Sequence, residues 1–171
     1  MACKEKNNCD CSNMNGFGLD RKNETLSKKF ERKRILIICT GNSCRSQMAE
    51  AWLRSFDDRL DVFSAGIHPE KEVSPFAIEV MKAVNIDIRQ QYPKPVGDFM
   101  NDDFDVVITV CDNAKKACPV FTANVKHLLH IGFEDPADAI GTSDEILMVY
   151  QKVSIQIRDA FYKLFIEELS K

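Results

Sequence analysis

The fold of this chain is decided by the stretch Ile35-Leu36-Ile37-Ile38-Cys39-Thr40-Gly41-Asn42-Ser43-Cys44-Arg45-Ser46. Its four branched apolar residues predict a strand that is buried on both faces of a parallel sheet. Gly41 and Asn42 tolerate tight or left-handed backbone angles, and good helix formers follow from Ser46 onward. The stretch therefore predicts a strand, a short loop and the N-terminus of a helix.

Such a junction is suited to binding an anion, because unpaired N–H groups and the helix dipole act on the loop. Arg45 adds a planar guanidinium that can hold two oxygens of a tetrahedral oxyanion. The same environment favours a thiolate, so we expect the pKa of Cys39 to lie below its usual value of about 8.5. The hydroxyl of Ser46 is expected to donate to that thiolate. The alternative is a buried cysteine that ends a strand, with Arg45 a solvated helix residue.

The composition of the whole chain is that of an ordinary globular protein, with 171 residues, 44% of them hydrophobic and 29% charged. This length predicts one domain with a proper core. A net charge of −3 gives no reason to propose nucleic acid or a membrane surface as a partner. No apolar run has the length of a membrane span and no signal region is visible, so we predict a cytoplasmic protein. Residues 1–33 are polar and predict a disordered extension before a domain at 34–171.

Seven cysteines are spread along the chain: Cys3, Cys9, Cys11, Cys39, Cys44, Cys111 and Cys118. Their odd number and the lack of a secretion signal favour catalytic or redox thiols over static disulfides. Cys3, Cys9 and Cys11 fall in the extension, where they would either bind a soft metal ion or be spare thiols. Their spacing matches no four-ligand zinc pattern, so no metal site is predicted.

Two later apolar runs, residues 104–110 and 125–131, also predict buried strands. The remaining predicted elements are a strand at 62–66, a helix capped at Ser74 with Pro75 in its first position, a short helix near 95–101 and a long amphipathic helix at 143–168. Alternating strands and helices predict a single α/β domain in which helices flank a parallel sheet. Functional groups gather at the carboxyl ends of such strands. Cys39, Cys111 and Asp135 each follow a predicted strand, so we expect them to lie close together.

The two later cysteines, Cys111 and Cys118, bracket a polar segment. They can form a disulfide if this segment bends, because their α-carbons must come within about 4.4–6.8 Å. A redox pair is one interpretation, and an incidental Cys118 is the other. Asp135 precedes Pro136, which biases it away from helical geometry. Its carboxyl group would either protonate a leaving oxygen beside a bound oxyanion or belong to an ordinary turn.

Several motifs of this chain resemble those of the thioredoxin-coupled arsenate reductases, which share the fold of the low-molecular-weight protein tyrosine phosphatases. The motifs are residues 39–50, Ser64-Ala65-Gly66, the Cys111…Cys118-Pro119 pair and residues 132–137. The resemblance covers residues 34–170. The first motif is shared with the phosphatases, and the spacing of the two later cysteines is the specific part.

The resemblance implies a mechanism for arsenic detoxification that needs no organic cofactor. Arsenate would bind in the loop of Thr40, Gly41, Asn42, Ser43, Cys44 and Arg45. Cys39 would attack arsenic while Asp135 protonates the departing hydroxyl group. Cys111 would then attack Cys39 and release arsenite, and Cys118 would attack Cys111. Thioredoxin would reduce the final Cys111–Cys118 disulfide.

Some members of this family bind a potassium ion beside the loop. Asn42, Glu50 and Ser64 match three of the ligand positions, while the fourth, a carboxylate in those members, falls on Lys94. A lysine ammonium can replace the cation and pair with Glu50, so we predict that no potassium is required. Cys44 also has a counterpart in the family, and we interpret it as structural or as a site of unwanted disulfide formation with Cys39.

Two other functions compete with arsenate reduction. A low-molecular-weight tyrosine phosphatase would use Cys39, Arg45 and Asp135, but residues 137–139 lack the tyrosines that many such enzymes carry there. A non-catalytic thiol protein would instead bind arsenite or a soft metal through its N-terminal cysteines. Glutathione with glutaredoxin also competes with thioredoxin as the reductant.

Overall fold

The computed structural model describes residues 32–116 and 123–170. Its elements are β1 (Lys33–Cys39), α1 (Arg45–Phe56), β2 (Leu60–Gly66), α2 (Pro75–Ala83), β3 (Phe104–Thr109), α3 (Asp112–Lys116), β4 (Val125–His130) and α4 (Ser143–Leu164). This alternation confirms the predicted α/β class. The N-terminal cysteines and Cys118 lie outside the described residues.

The four strands form one parallel sheet in the order β2-β1-β3-β4. β1 lies inside the sheet, and Ile35, Leu36, Ile37 and Ile38 are 0% exposed, as the apolar run predicts. Cys39 ends β1 opposite Gly66 at the end of β2, and Ile38 pairs with Thr109 at the end of β3. The carboxyl ends of three strands therefore meet at one edge of the sheet.

β4 differs from its prediction as a buried strand. It lies at the edge of the sheet beside β3, and Leu128 is 61% exposed. Leu129 is half-buried against the core. An apolar run predicts a strand but does not fix its place in the strand order, which here leaves most of the β4 side chains exposed or half-exposed.

Four details differ from the predicted elements. Residues 112–116, predicted as part of a polar segment, form the short helix α3. The short helix near 95–101 is a 3₁₀ turn at Val96–Phe99. Ser74 does precede α2, but its side chain makes no capping bond and instead donates to the Tyr150 hydroxyl at 3.0 Å. β1 already includes Lys33, which the sequence assigns to the extension, and the Lys33 ammonium donates to the Glu168 carbonyl.

The longest helix, α4, begins with a capping box in which Thr142 and Glu145 each bond the other's backbone N–H. It continues past its last residue into a π-helical turn at Phe165–Leu169, which extends the helix close to its predicted end. Of the helices in the described part of the chain, none is both long and apolar enough to cross a bilayer.

Candidate active site

The loop between β1 and α1 holds its carbonyl groups on one side. The carbonyl oxygens of Cys39, Thr40, Gly41 and Ser43 accept bonds of 2.8–3.1 Å from amides in the segment 67–74 that follows β2. In a planar peptide, the N–H points opposite to the C=O. The loop amides next to these carbonyls therefore face away from that segment. Their N–H groups can donate hydrogen bonds to an oxyanion bound in the loop.

Asn42 fixes the shape of this loop. Its φ of 50° lies in the left-handed region that the sequence predicts for this position. The fully buried side chain donates to Ser46 Oγ and to Ser64 Oγ, each at 2.8 Å, and accepts from the Lys94 amide at 2.8 Å. Asn42 thus connects the loop to α1, β2 and the segment before the 3₁₀ turn.

Ser46 has a different partner from the predicted one. Its hydroxyl oxygen accepts the bond from Asn42 Nδ2. In the described part of the chain, Ser46 forms no hydrogen bond with Cys39. This bond uses the Ser46 oxygen and not its proton, so the donation from Ser46 to a Cys39 thiolate stays a prediction.

Arg45 and Asp135 form an ion pair beside the loop. Arg45 is 6% exposed, and its Nη1 donates to the Phe133 carbonyl at 3.1 Å. Its Nε is buried and has no hydrogen-bond partner. A buried donor without a partner is costly, so Arg45 retains the capacity to bind one more acceptor.

Cys39 and Cys111 are both buried, Cys39 at the end of β1 and Cys111 just after β3. The Cys111 sulfur lies 3.3 Å from the hydroxyl of Thr40, the residue after Cys39, and 3.4 Å from the Ala114 amide. Its interaction with the Cys39 side chain, together with these donors, lowers the pKa of Cys111 to about 5. Interaction with Cys111 and burial raise the pKa of Cys39, while the positive charge of Arg45 lowers it. The ligand-free arrangement thus favours negative charge on Cys111, and the expectation that Cys39 reacts as a thiolate stays a prediction.

A cavity of about 660 Å³ opens beside these groups, and Thr40, Arg45, Cys111 and Asp135 lie in its wall. Asp112 also lines this cavity and is contacted by His130, whose Nε2 lies 3.4 Å from Asp112 Oδ1. The sequence placed Thr40 in the oxyanion-binding loop but not its hydroxyl beside Cys111, and it missed His130. No local motif marks these contacts, because both are made between strands that are distant in sequence.

Two cationic side chains lie beside Glu50, the carboxylate that matches the family's potassium position. Glu50 is buried, and its Oε1 lies 2.8 Å from Arg54 Nη2. Its Oε2 has no hydrogen bond but lies 3.7 Å from Lys94 Nζ. Two cationic side chains thus already face the carboxylate that a metal ion would need. Within residues 32–116 and 123–170, no group of three or more His, Cys, Asp or Glu side chains could hold a metal ion.

Comparison with known proteins places this site in a family. Residues 34–171 match the family model of the low molecular weight phosphotyrosine protein phosphatases. The arsenate reductase of Halalkalibacterium halodurans is 42% identical over 129 residues, which are 75% of this chain and 91% of that protein. The arsenate reductase of Bacillus subtilis is 41% identical over the same shares of the two chains.

Solved structures agree with this relationship. An arsenate reductase in the oxidized state superposes with a TM-score of 0.67 at 29% identity, over 79% of this chain and 98% of that one. A tyrosine phosphatase of Erwinia amylovora has the same TM-score at 19% identity, over 81% and 94% of the two chains, which shows a common fold. The chain therefore belongs to the low molecular weight phosphotyrosine protein phosphatase family and, within it, to the arsenate reductases.

Proposed function

We propose that this protein reduces arsenate to arsenite through a relay of Cys39, Cys111 and Cys118 that thioredoxin recharges. The observation that carries the proposal is the placement of two buried thiols at one oxyanion-binding loop: Cys39 begins the loop, and the Cys111 sulfur lies 3.3 Å from the hydroxyl of the next residue, Thr40. A hydrolytic phosphatase needs the first thiol but has no use for the second. Two thiols at one loop are suited to forming a disulfide while an oxyanion is reduced.

Binding begins with an exchange of partners at Arg45. Arsenate is a tetrahedral oxyanion. It would replace Asp135 as the partner of the Arg45 guanidinium and accept hydrogen bonds from the loop amides. The unpartnered Arg45 Nε supplies a further donor. Asp135 then stands beside the bound anion, released from its ion pair and free to take up a proton.

The first chemical step forms a sulfur–arsenic bond. Cys39 loses its proton as the oxyanion binds, and the positive charge of Arg45 stabilises the resulting thiolate. The Cys39 thiolate then attacks arsenic, and Asp135 in its protonated form gives its proton to the departing hydroxyl group, which leaves as water. Arsenic remains in the +5 state at this point.

The second step transfers the electrons. The Cys111 thiolate attacks the Cys39 sulfur, and the sulfur–arsenic bond breaks with its electron pair left on arsenic. Arsenic is reduced to the +3 state and leaves as arsenite, while the two cysteines become a disulfide. The step is intramolecular, so a high effective concentration replaces an encounter between molecules.

The third step moves the disulfide and frees Cys39. The Cys118 thiolate attacks Cys111, which yields the Cys111–Cys118 disulfide and a reduced Cys39. Thioredoxin would reduce this disulfide by the same exchange chemistry and supply two electrons for each arsenate. The spacing of the two cysteines supports this step, and Cys118 itself lies outside the described residues.

The relay is tested with the substitutions Cys111→Ser and Cys118→Ser. Both should abolish thioredoxin-coupled arsenate turnover, followed as consumption of the electron donor of a thioredoxin system. Cys118→Ser should still release about one arsenite per protein and accumulate the Cys39–Cys111 disulfide, which peptide mass spectrometry detects. Sustained turnover by Cys118→Ser would contradict the relay, and turnover with glutathione and glutaredoxin but not thioredoxin would change the reductant.

Phosphatase activity is a second candidate function, favoured by the arrangement of Cys39, Arg45 and Asp135 around the loop. A phosphocysteine intermediate at Cys39 would be hydrolysed by attack of water on phosphorus, a step in which Cys111 takes no part. Hydrolysis of a small aryl phosphate should therefore survive Cys111→Ser and Cys118→Ser, whereas Cys39→Ser should abolish it. Phosphatase turnover that exceeds arsenate turnover in the unaltered protein would make hydrolysis the main function.

A further inference from the structure

Cys44 is a loop thiol that the relay does not use. It is 5% exposed, and its sulfur lies 3.3 Å from the hydroxyl of Tyr150 on α4. Tyr150 is itself 3% exposed, and its ring packs against Phe76 with 5.4 Å between the ring centroids. A buried phenol therefore reaches from another element into the oxyanion-binding loop.

The direction of the hydrogen bonds around this phenol follows from its neighbours. Ser74 Oγ donates to the Tyr150 oxygen at 3.0 Å, so the phenol proton is left for the Cys44 sulfur. Burial and the bond to Cys44 raise the pKa of Tyr150, which keeps this proton on the phenol. Ser74 is fixed in turn, because its amide donates to the Ser43 carbonyl at 2.9 Å.

Cys44 matters because it could form a second disulfide with Cys39, by the same reaction that joins Cys39 to Cys111. Once arsenic is bound to Cys39, attack by the Cys44 thiolate on the Cys39 sulfur would also break the sulfur–arsenic bond and release arsenite. The product would be a Cys39–Cys44 disulfide within the buried loop. Cys111 would then carry no disulfide for Cys118 to attack, so the third step of the relay could not take place.

The structure separates the two competing thiols by giving them different partners. The Cys111 sulfur lies 3.3 Å from the hydroxyl of Thr40, the residue after Cys39, whereas Cys44 is hydrogen-bonded to Tyr150. We propose that Tyr150 is a positioning residue that holds the Cys44 thiol toward the core and so leaves the arsenic adduct of Cys39 to Cys111. This inference rests on the proposed relay and adds a residue that determines which disulfide forms.

The substitution Tyr150→Phe tests this role, because it removes the hydroxyl and retains the ring that packs on Phe76. One equivalent of arsenate is added to the reduced protein without thioredoxin, the thiols are alkylated, and the disulfides are mapped by peptide mass spectrometry. We expect severalfold more Cys39–Cys44 disulfide in Tyr150→Phe than in the unaltered protein. With thioredoxin present, the variant should lose activity progressively during turnover.

Three further variants sharpen the test. Tyr162→Phe removes a phenol from the same helix at a side chain that is 52% exposed, and it should behave as the unaltered protein. Ser74→Ala should shift the disulfides in the same direction as Tyr150→Phe, though less. Adding Cys44→Ala to Tyr150→Phe should abolish the progressive loss of activity.

The outcomes separate this inference from the proposed function. If Tyr150→Phe forms the relay disulfides in the same proportions as the unaltered protein, Tyr150 does not direct Cys44. If the double variant still loses activity progressively, the phenol does not act through Cys44, which also overturns the inference. If the unaltered protein forms neither relay disulfide, the proposed function itself is wrong.

Discussion

Cys39 and Cys111 lie close enough that each side chain shifts the pKa of the other. Hydrogen bonds from Cys39, Thr40 and Ala114 stabilise the negative charge on Cys111. The same interaction between the two side chains raises the pKa of Cys39, which Arg45 opposes through its positive charge.

The pair has a measurable signature in its pH dependence. Because the pKa of Cys111 is lowered to about 5, the reduced protein should carry one thiolate at neutral pH that Cys111→Ser lacks. Cys39→Ala removes the main donor to Cys111, so this thiolate should appear only at higher pH. Thiolate absorbance in the ultraviolet, followed across the acid and neutral range, measures both effects. An unchanged titration in Cys39→Ala would show that the two sulfurs are not coupled.

Glu50 is the residue at which a potassium requirement would arise. It already faces Arg54 and Lys94, so a third cation would gain little and would be repelled by the other two. We expect arsenate reduction to be unchanged when potassium is replaced by a large organic cation at equal ionic strength. A severalfold loss of kcat/KM without potassium would contradict this interpretation.

At the scale of elements, the unit β1–loop–α1 could be predicted because its determinants are local. Four branched apolar residues define the strand, Asn42 fits a left-handed position, and helix formers follow directly. The meeting of Cys39, Cys111 and Asp135 could also be predicted, since parallel strands end at one edge of the sheet. The exposure of β4 at the edge of the sheet could not be predicted, because the place of a strand in the sheet is decided by packing and not by the residues of that strand.

The end of β2 shapes the loop beside it. A β-carbon on Gly66 would lie 2.8 Å from the Thr40 carbonyl oxygen and 3.0 Å from Asn42 Cβ. Gly66→Ala should therefore displace the loop and lower kcat/KM for arsenate by about tenfold or more, with about 1–3 kcal/mol lost in stability. Steady-state kinetics and thermal unfolding measure the two effects.

Gly97→Ala is the matched control for this substitution. A β-carbon on Gly97 would meet nothing within 4 Å, so its kinetics should equal those of the unaltered protein. Equal kinetics for Gly66→Ala and Gly97→Ala would mean that the loop does not depend on the close approach of β2.

At the scale of the whole molecule, the site is assembled from segments that are far apart in sequence. Tyr150 follows Cys44 by 106 positions and Asp135 follows Arg45 by 90. Both residues of the ion pair could be predicted as site residues, because a motif marks Arg45 and Asp135 follows a predicted strand, but the sequence does not predict their pairing. The Tyr150 contact could not, because a tyrosine on the buried face of an amphipathic helix reads as core packing.

The N-terminal segment offers a test of where function resides. The sheet, the loop and Asp135 all fall within residues 32–170, so deletion of residues 1–31 should leave arsenate turnover nearly unchanged. Arg32 and Lys33 are retained because they contact Asp61 and the Glu168 carbonyl. Loss of arsenite binding together with little turnover in either form would instead favour a non-catalytic thiol protein that senses arsenite through its N-terminal cysteines.

The ion pair of Arg45 with Asp135 gives the protein an internal competitor for its own substrate. A carboxylate tethered beside the guanidinium acts at an effective concentration that free anions seldom reach. Weakly bound anions are therefore displaced, and only an oxyanion that also satisfies the loop amides competes well. Arsenite is uncharged at neutral pH, so the ion pair between Asp135 and Arg45 forms again as the product forms. Each turnover would thus end with the Arg45 guanidinium bound to Asp135 and not available to the product.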